Sequence, residues 1–174
     1  MHSLYFVKIP KKDVTTGEDA ILVAEKVLDQ EGFASEGGYF NCSKSDWYVV
    51  GGRWSGKLQE LKLGINFSKE VKKKIKPKDS FGFSSSEIEK NKDKIDKIWR
   101  KLGGHWESPF DRDDYSHEGY PDDAMRIDKD ILKSLKAEYK DVEVYDSNDI
   151  YEYSVKDLDK NSIGDWLVTI DYHI

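Results

Sequence analysis

The first forty residues constrain the fold most. LYFVKI, residues 4 to 9, is aromatic and β-branched, with Pro10 at its end, and reads as a strand. In the TTGEDAILVAEKVLDQEGF run that follows, Thr16 can cap a helix with Asp19 three residues on, and Ala20, Val23, Ala24, Val27 and Leu28 recur at helical spacing. Gly32 is the expected stop. A strand leading directly into an amphipathic helix is the clearest supersecondary signal in the chain.

Further along, YFNC and DWYVV read as strands, and WSGKLQELKLGINF as another extended piece. KEVKKKIKPKD is a short basic helix or loop, with Ser68 as cap and Pro77 as terminator; its lysines read as a solvated face. SSEIEKNKDKIDKIWRKLGG places Ile88, Ile95, Ile98, Trp99 and Leu102 on one stripe of a helix. The turn-rich, acidic stretch near 103–124 is expected to be a long surface loop, followed by a helix capped at Asp128 and three strands, VEVYD, IYEYSV and DWLVTIDYHI. This order favours an α+β fold, an antiparallel or mixed β-sheet covered by helices. A ferredoxin-like arrangement, with first and last strands paired near the sheet centre, is one concrete candidate.

A length of 174 residues suits a single globular domain spanning 1–174. With 36% charged residues, much of the core must come from aromatic rings. The net charge of −6 argues against general nucleic-acid binding, though a local basic patch is compatible with it. Cys42 is the only cysteine, which excludes an internal disulfide and fits a reducing setting; it reads as an inert core residue. With no long apolar stretch, the expected location is cytoplasmic, away from membranes.

The chemistry-bearing residues gather in DWYVVGGRWSG, residues 46 to 56. On a strand, Asp46, Tyr48 and Val50 face one way and Trp47 and Val49 the other. Gly51 and Gly52 then allow positive φ or close backbone approach, and their N–H groups can form an anion-binding concavity. Arg53 adds a planar fork for phosphate or carboxylate, and Trp47 or Trp54 a surface on which a base can stack. The same residues also suit a plain bulge with an arginine tied to a carboxylate such as Asp46. No phosphate-loop or dinucleotide fingerprint is present.

In DWLVTIDYHI, Trp166, Val168, Ile170 and Tyr172 alternate with Leu167, Thr169, Asp171 and His173. Asp171 and His173 therefore share a face, where the carboxylate can orient the imidazole as a general acid or base. In GYPDDAMRI, Asp122 and Asp123 read first as a cap or turn, with Asp123 as a candidate acceptor for a ligand's sugar or base. His105 and His117 lie among Glu107, Asp111, Asp113, Asp114 and Glu118 without a recognised metal-ligand spacing, so no metal and no cofactor are expected.

Taken together, Asp46, Trp47, Tyr48, Gly51, Gly52, Arg53 and Trp54, then Asp122, Asp123 and Ala124, then Asp171, His173 and Ile174 resemble a protein family of phages and mobile elements with a DWYxxGGRW-like core and a DxHI ending. The resemblance covers three short patches; it implies a phage-like origin and carries no activity with it. Three functions follow as expectations. The first is binding of a small anionic ligand of nucleotide type, in the manner of a phage protein that sequesters a host defence signal. The second is a phosphodiester or glycosidic hydrolase using His173, Asp171 and Arg53. The third is a protein that blocks a host protein through an acidic contact face.

Overall fold

The computed structural model describes residues 1–30, 33–35, 45–112, 119–148 and 151–173; of residues 33–35, 45–47, 151 and 152 it describes the backbone. In chain order the elements are β1 (His2–Ile9), α1 (Gly17–Gln30), β2 (Phe33–Ser35), β3 (Ser45–Val50), α2 (Lys57–Leu63), α3 (Phe67–Lys74), α4 (Ser85–Lys90), α5 (Lys92–Lys101), β4 (Ala124–Arg126), α6 (Lys129–Glu138), β5 (Glu143–Asp146), β6 (Tyr151–Ser154) and β7 (Trp166–His173). Short 3-10 turns at Gly52–Trp54 and Pro121–Asp123 flank the candidate site.

The strands form one sheet in the order β2-β3-β7-β1-β5-β6, with β4 also paired to β7. The β1/β5 and β2/β3 pairs are parallel and the others antiparallel, so the sheet is mixed and the fold is α+β. The first and last strands do pair near the centre, His2 opposite His173 and Ile9 opposite Trp166. The parallel pairs and the extra strands set the sheet apart from a four-stranded antiparallel ferredoxin-like one.

Alternation assigns the two faces. Tyr5, Val7, Ile9, Tyr48, Val50, Tyr145, Val168 and Ile170 pack under α1, which contributes Ala20, Ile21, Ala24 and Leu28. The helix sits one position round from its expected stripe, with Ile21 buried and Val23 and Val27 at the margin. Thr16 caps it as expected, accepting from the Asp19 N–H at 3.1 Å. On the opposite face Phe6, Val144 and Leu167 meet Leu58 and Leu61 of α2 and Ile131 and Leu135 of α6. Asp128 caps α6 by accepting from the Ile131 N–H at 2.8 Å.

Three expectations change in the middle of the chain. The stretch read as extended after Trp54 is helical, because Leu58 and Leu61 can both bury only at i, i+3; alternation would give each face a mixture of leucine with Lys, Gln or Glu. The helix expected over 85–102 breaks at Asn91, whose side chain donates to the Glu87 carbonyl at 2.8 Å. Asn66, rather than Ser68, caps α3. Helices α3 and α5 close over a core of their own, Phe67, Val71, Ile95, Ile98 and Trp99, separate from the two sheet faces. Among the described residues, no helix is long and apolar enough to cross a membrane. The expected YFNC strand, Cys42, the Gly32 stop, Asp113, Asp114, His117, Glu118 and Ile174 lie outside the described residues.

The loop after α5 returns against that helix through Asp111, which accepts from the Ser108 hydroxyl at 3.0 Å. Burial, and after it a hydrogen bond with Asp96 of α5, push the Asp111 carboxyl up to about 6. A raised carboxyl favours the folded state while protonated, so its contribution is fully present below the ordinary carboxylate range and is lost as pH rises through about 6. Asp111→Asn supplies at every pH the donor that Asp111 offers only when protonated. The variant is expected to melt higher than the parent at pH 7 and to flatten the fall in melting temperature between about pH 4 and 6; parallel thermal melts across that range check it.

Candidate functional site

At the end of β3 the chain turns sharply between two buried carboxylates. Gly51 has φ 79° and ψ −76°, Gly52 has φ 50°, and the Gly51 N–H donates to the Thr169 carbonyl of β7 at 2.8 Å. A Cβ on Gly51 would collide with the Asp123 carboxylate, and one on Gly52 would lie 2.5 Å from Asp171. Glycine is required twice, by left-handed backbone and by close approach.

Asp171 gathers the residues of this bend. It is fully buried on β7, and its Oδ2 accepts the Arg53 N–H at 3.0 Å. The His2 Nδ1 lies 3.0 Å from Oδ1 and 3.2 Å from Oδ2. Of the N–H groups at the bend expected to cradle an anion, that of Gly51 serves the Thr169 carbonyl, and the neighbouring Arg53 N–H serves Asp171. The Arg53 side chain is exposed and Trp54 is half-buried, while the side chain of Asp46, the acid expected to tie Arg53, lies outside the described residues.

His173 shares the expected face, but Asp171 orients a different imidazole. Side chains at i and i+2 on a strand are separated by two residue rises, whereas cross-strand neighbours are closer. The register of β1 sets His2 opposite His173, and from there its ring reaches the carboxylate. The two imidazoles sit edge to face with centroids 5.3 Å apart, and His173 Nε2 meets the Met1 amine at 2.9 Å.

The second carboxylate belongs to a buried polar knot. Asp123 accepts from the Ser55 hydroxyl at 2.8 Å, the Gly56 N–H at 3.0 Å and the Tyr120 N–H at 2.9 Å. Arg112 forks onto Asp122 through two 2.8 Å bonds, with both side chains at most 3% exposed, and also donates to Ser55 and the Glu107 carbonyl. Its guanidinium lies over the Tyr120 ring at 4.6 Å from the centroid. Burial, and then the neighbouring Asp122 charge, push the Asp123 carboxyl up to about 6 despite these donors. Asp123 thus ties Ser55 and Gly56 to Tyr120, and its fully buried side chain faces no solvent. The expected acidic surface loop is divided: Glu107 is exposed, while Ser108, Arg112, Asp122 and Asp123 are buried.

The structure thus unites Gly51, Gly52, Arg53, Asp171, His173 and His2, and places Asp123 on the far side of the same bend. The side chain of Trp47 lies outside the described residues. Sequence reasoning passed over His2, Ser55 and Arg112. For His2 a signal existed, since pairing the two end strands in register brings position 2 opposite position 173. Compared with protein families, curated proteins and solved structures, the chain matches none.

Proposed function

We propose that the chain binds a small phosphate-bearing ligand of nucleotide type at a rim formed by Arg53, His2 and His173, with the half-buried Trp54, next in sequence to Arg53, as a stacking surface. The observation that carries this reading is the Asp171 node, one buried carboxylate that fixes both the His2 ring and the backbone from which the exposed Arg53 guanidinium projects. A fixed base under a charged side chain lowers the ordering cost of holding an anion. A cytoplasmic setting and a phage-type role in sequestering a host signal belong to the same proposal, resting on the single Cys42 and the three motif patches.

Thermal shift against linear and cyclic mono- and dinucleotides tests it. A ligand at a hundred times its Kd stabilises by about 2.7 kcal/mol, which for a chain of this size raises the melting temperature by roughly 5 to 10 °C. Arg53→Ala is expected to abolish that shift while leaving the unliganded melting temperature within about 1 °C, because the side chain is exposed. A panel in which no nucleotide shifts the parent protein defeats the proposal.

The hydrolase reading gains from one specific observation. A single histidine is a weak basis for transferring two protons, and the structure supplies two imidazoles side by side, one of them oriented by a carboxylate. His2 would then act as the oriented base and His173 as its partner acid. Recovering the nucleotide after heat denaturation separates the readings: sequestration returns it intact, hydrolysis returns it cleaved.

A further inference from the structure

A second site lies away from this bend, between α3 and α5. Ile75 and Ile98 floor a cavity of about 220 Å³ whose other lining residues are Lys74, Lys94, Lys97 and Lys101. The last three recur at i, i+3 and i+7, one stripe of α5 about 10 Å long. All four lysines are exposed, and none pairs with a carboxylate among the described residues.

The sequence concentrates charge here. Residues 57–101 carry fourteen Lys and Arg against seven Asp and Glu, a net +7, so the remainder of the chain is −13 within a total of −6. Like charges gathered around an apolar floor repel one another, and an anionic partner relieves that repulsion while covering the isoleucines.

We infer that this cavity docks an acidic, amphipathic peptide segment of a partner protein, one large apolar side chain seated on Ile75 and Ile98 and flanking carboxylates meeting the lysines. The composition of the lining favours a peptide over a nucleic-acid strand. The lining holds no aromatic ring for base stacking and no arginine fork.

The test is amide chemical-shift titration of the isotope-labelled protein with three probes. These are a nine-residue peptide of Asp and Glu around a central phenylalanine, the same peptide with alanine at the centre, and an eight-nucleotide oligothymidylate. The phenylalanine peptide is expected to shift Ile75, Ile98 and their neighbours saturably. Its affinity should drop at least tenfold when alanine replaces the anchor, and equally in the Lys94→Glu/Lys97→Glu protein, whose exposed substitutions leave the rest of the spectrum in place. Equal binding of the two peptides, tighter binding of the oligonucleotide, or no shifts at Ile75 and Ile98 with the phenylalanine peptide each overturn the inference.

Discussion

Replacing Arg112 with methionine is expected to destabilise the protein by about 3 to 5 kcal/mol, the cost of leaving a buried ion pair without one partner. Arg112 is the guanidinium of the knot: its fork satisfies Asp122, and its Nη1 lies 3.9 Å from Asp123. Methionine fills much of the same volume but leaves two adjacent buried carboxylates facing each other. The melting temperature should fall by roughly 10 °C for a chain of this length, and urea melts give the free energy directly. The deficit has a signed pH dependence. Asp123 is already pushed up to about 6, and Arg112 is among the groups that hold it down. Without Arg112 its folded-state value climbs further, so protonation below the ordinary carboxylate range relieves the strain and the deficit grows as pH rises through 6 and beyond. Adding Asp122→Leu to the variant removes one of the stranded charges and should recover part of the loss. Equal melting temperatures for Arg112→Met and the parent at pH 7.5 would show that the knot carries no net stability.

Gly52→Ala is expected to cost at least about 3 kcal/mol, through steric conflict added to backbone strain. Its Cβ would lie 2.5 Å from the Asp171 Cβ and Oδ2 and 2.8 Å from the Val49 side chain, at a φ of +50°. Gly64 provides the control. Its φ is +67°, but nothing lies within 4 Å of an added Cβ, so Gly64→Ala carries only the left-handed penalty of about 1 kcal/mol. The difference between the two variants isolates the close approach to Asp171. Because Asp171 must move to admit the methyl group, the hydrogen bonds to His2 and Arg53 loosen together, and the nucleotide-dependent thermal shift should disappear along with the stability.

Where a single periodicity decided an element, it could be read directly. Strand β1, helix α1 with its Thr16 cap, the Asp128-capped α6 and the two faces of β7 all follow from period-2 or period-3.6 spacing over enough residues to exclude the alternative. Helix α2 escaped because it is seven residues long and its aromatic, glycine-rich lead-in suggested extended chain. Strand β4 is three residues long and exists only because β7 offers it an edge. Arg112 could not be found from spacing at all, since it sits in an acidic, turn-rich stretch and acquires its role when Asp122 and Ser55, ten residues and fifty-seven residues away, fold around it. The bend itself was legible through its glycines; that Asp171 accepts the Arg53 N–H was not, because Asp171 lies 118 residues from Arg53.

The pairing of β1 with β7 has a consequence for biosynthesis. His2 and Asp171 are 169 residues apart, so a nascent chain on the ribosome carries the imidazole long before its carboxylate has been translated. Contacts of such sequence separation form slowly and late. The His2–Asp171 contact therefore forms only after residue 171 clears the exit tunnel, and a translation product truncated before it lacks the contact however much of the remaining sheet has assembled.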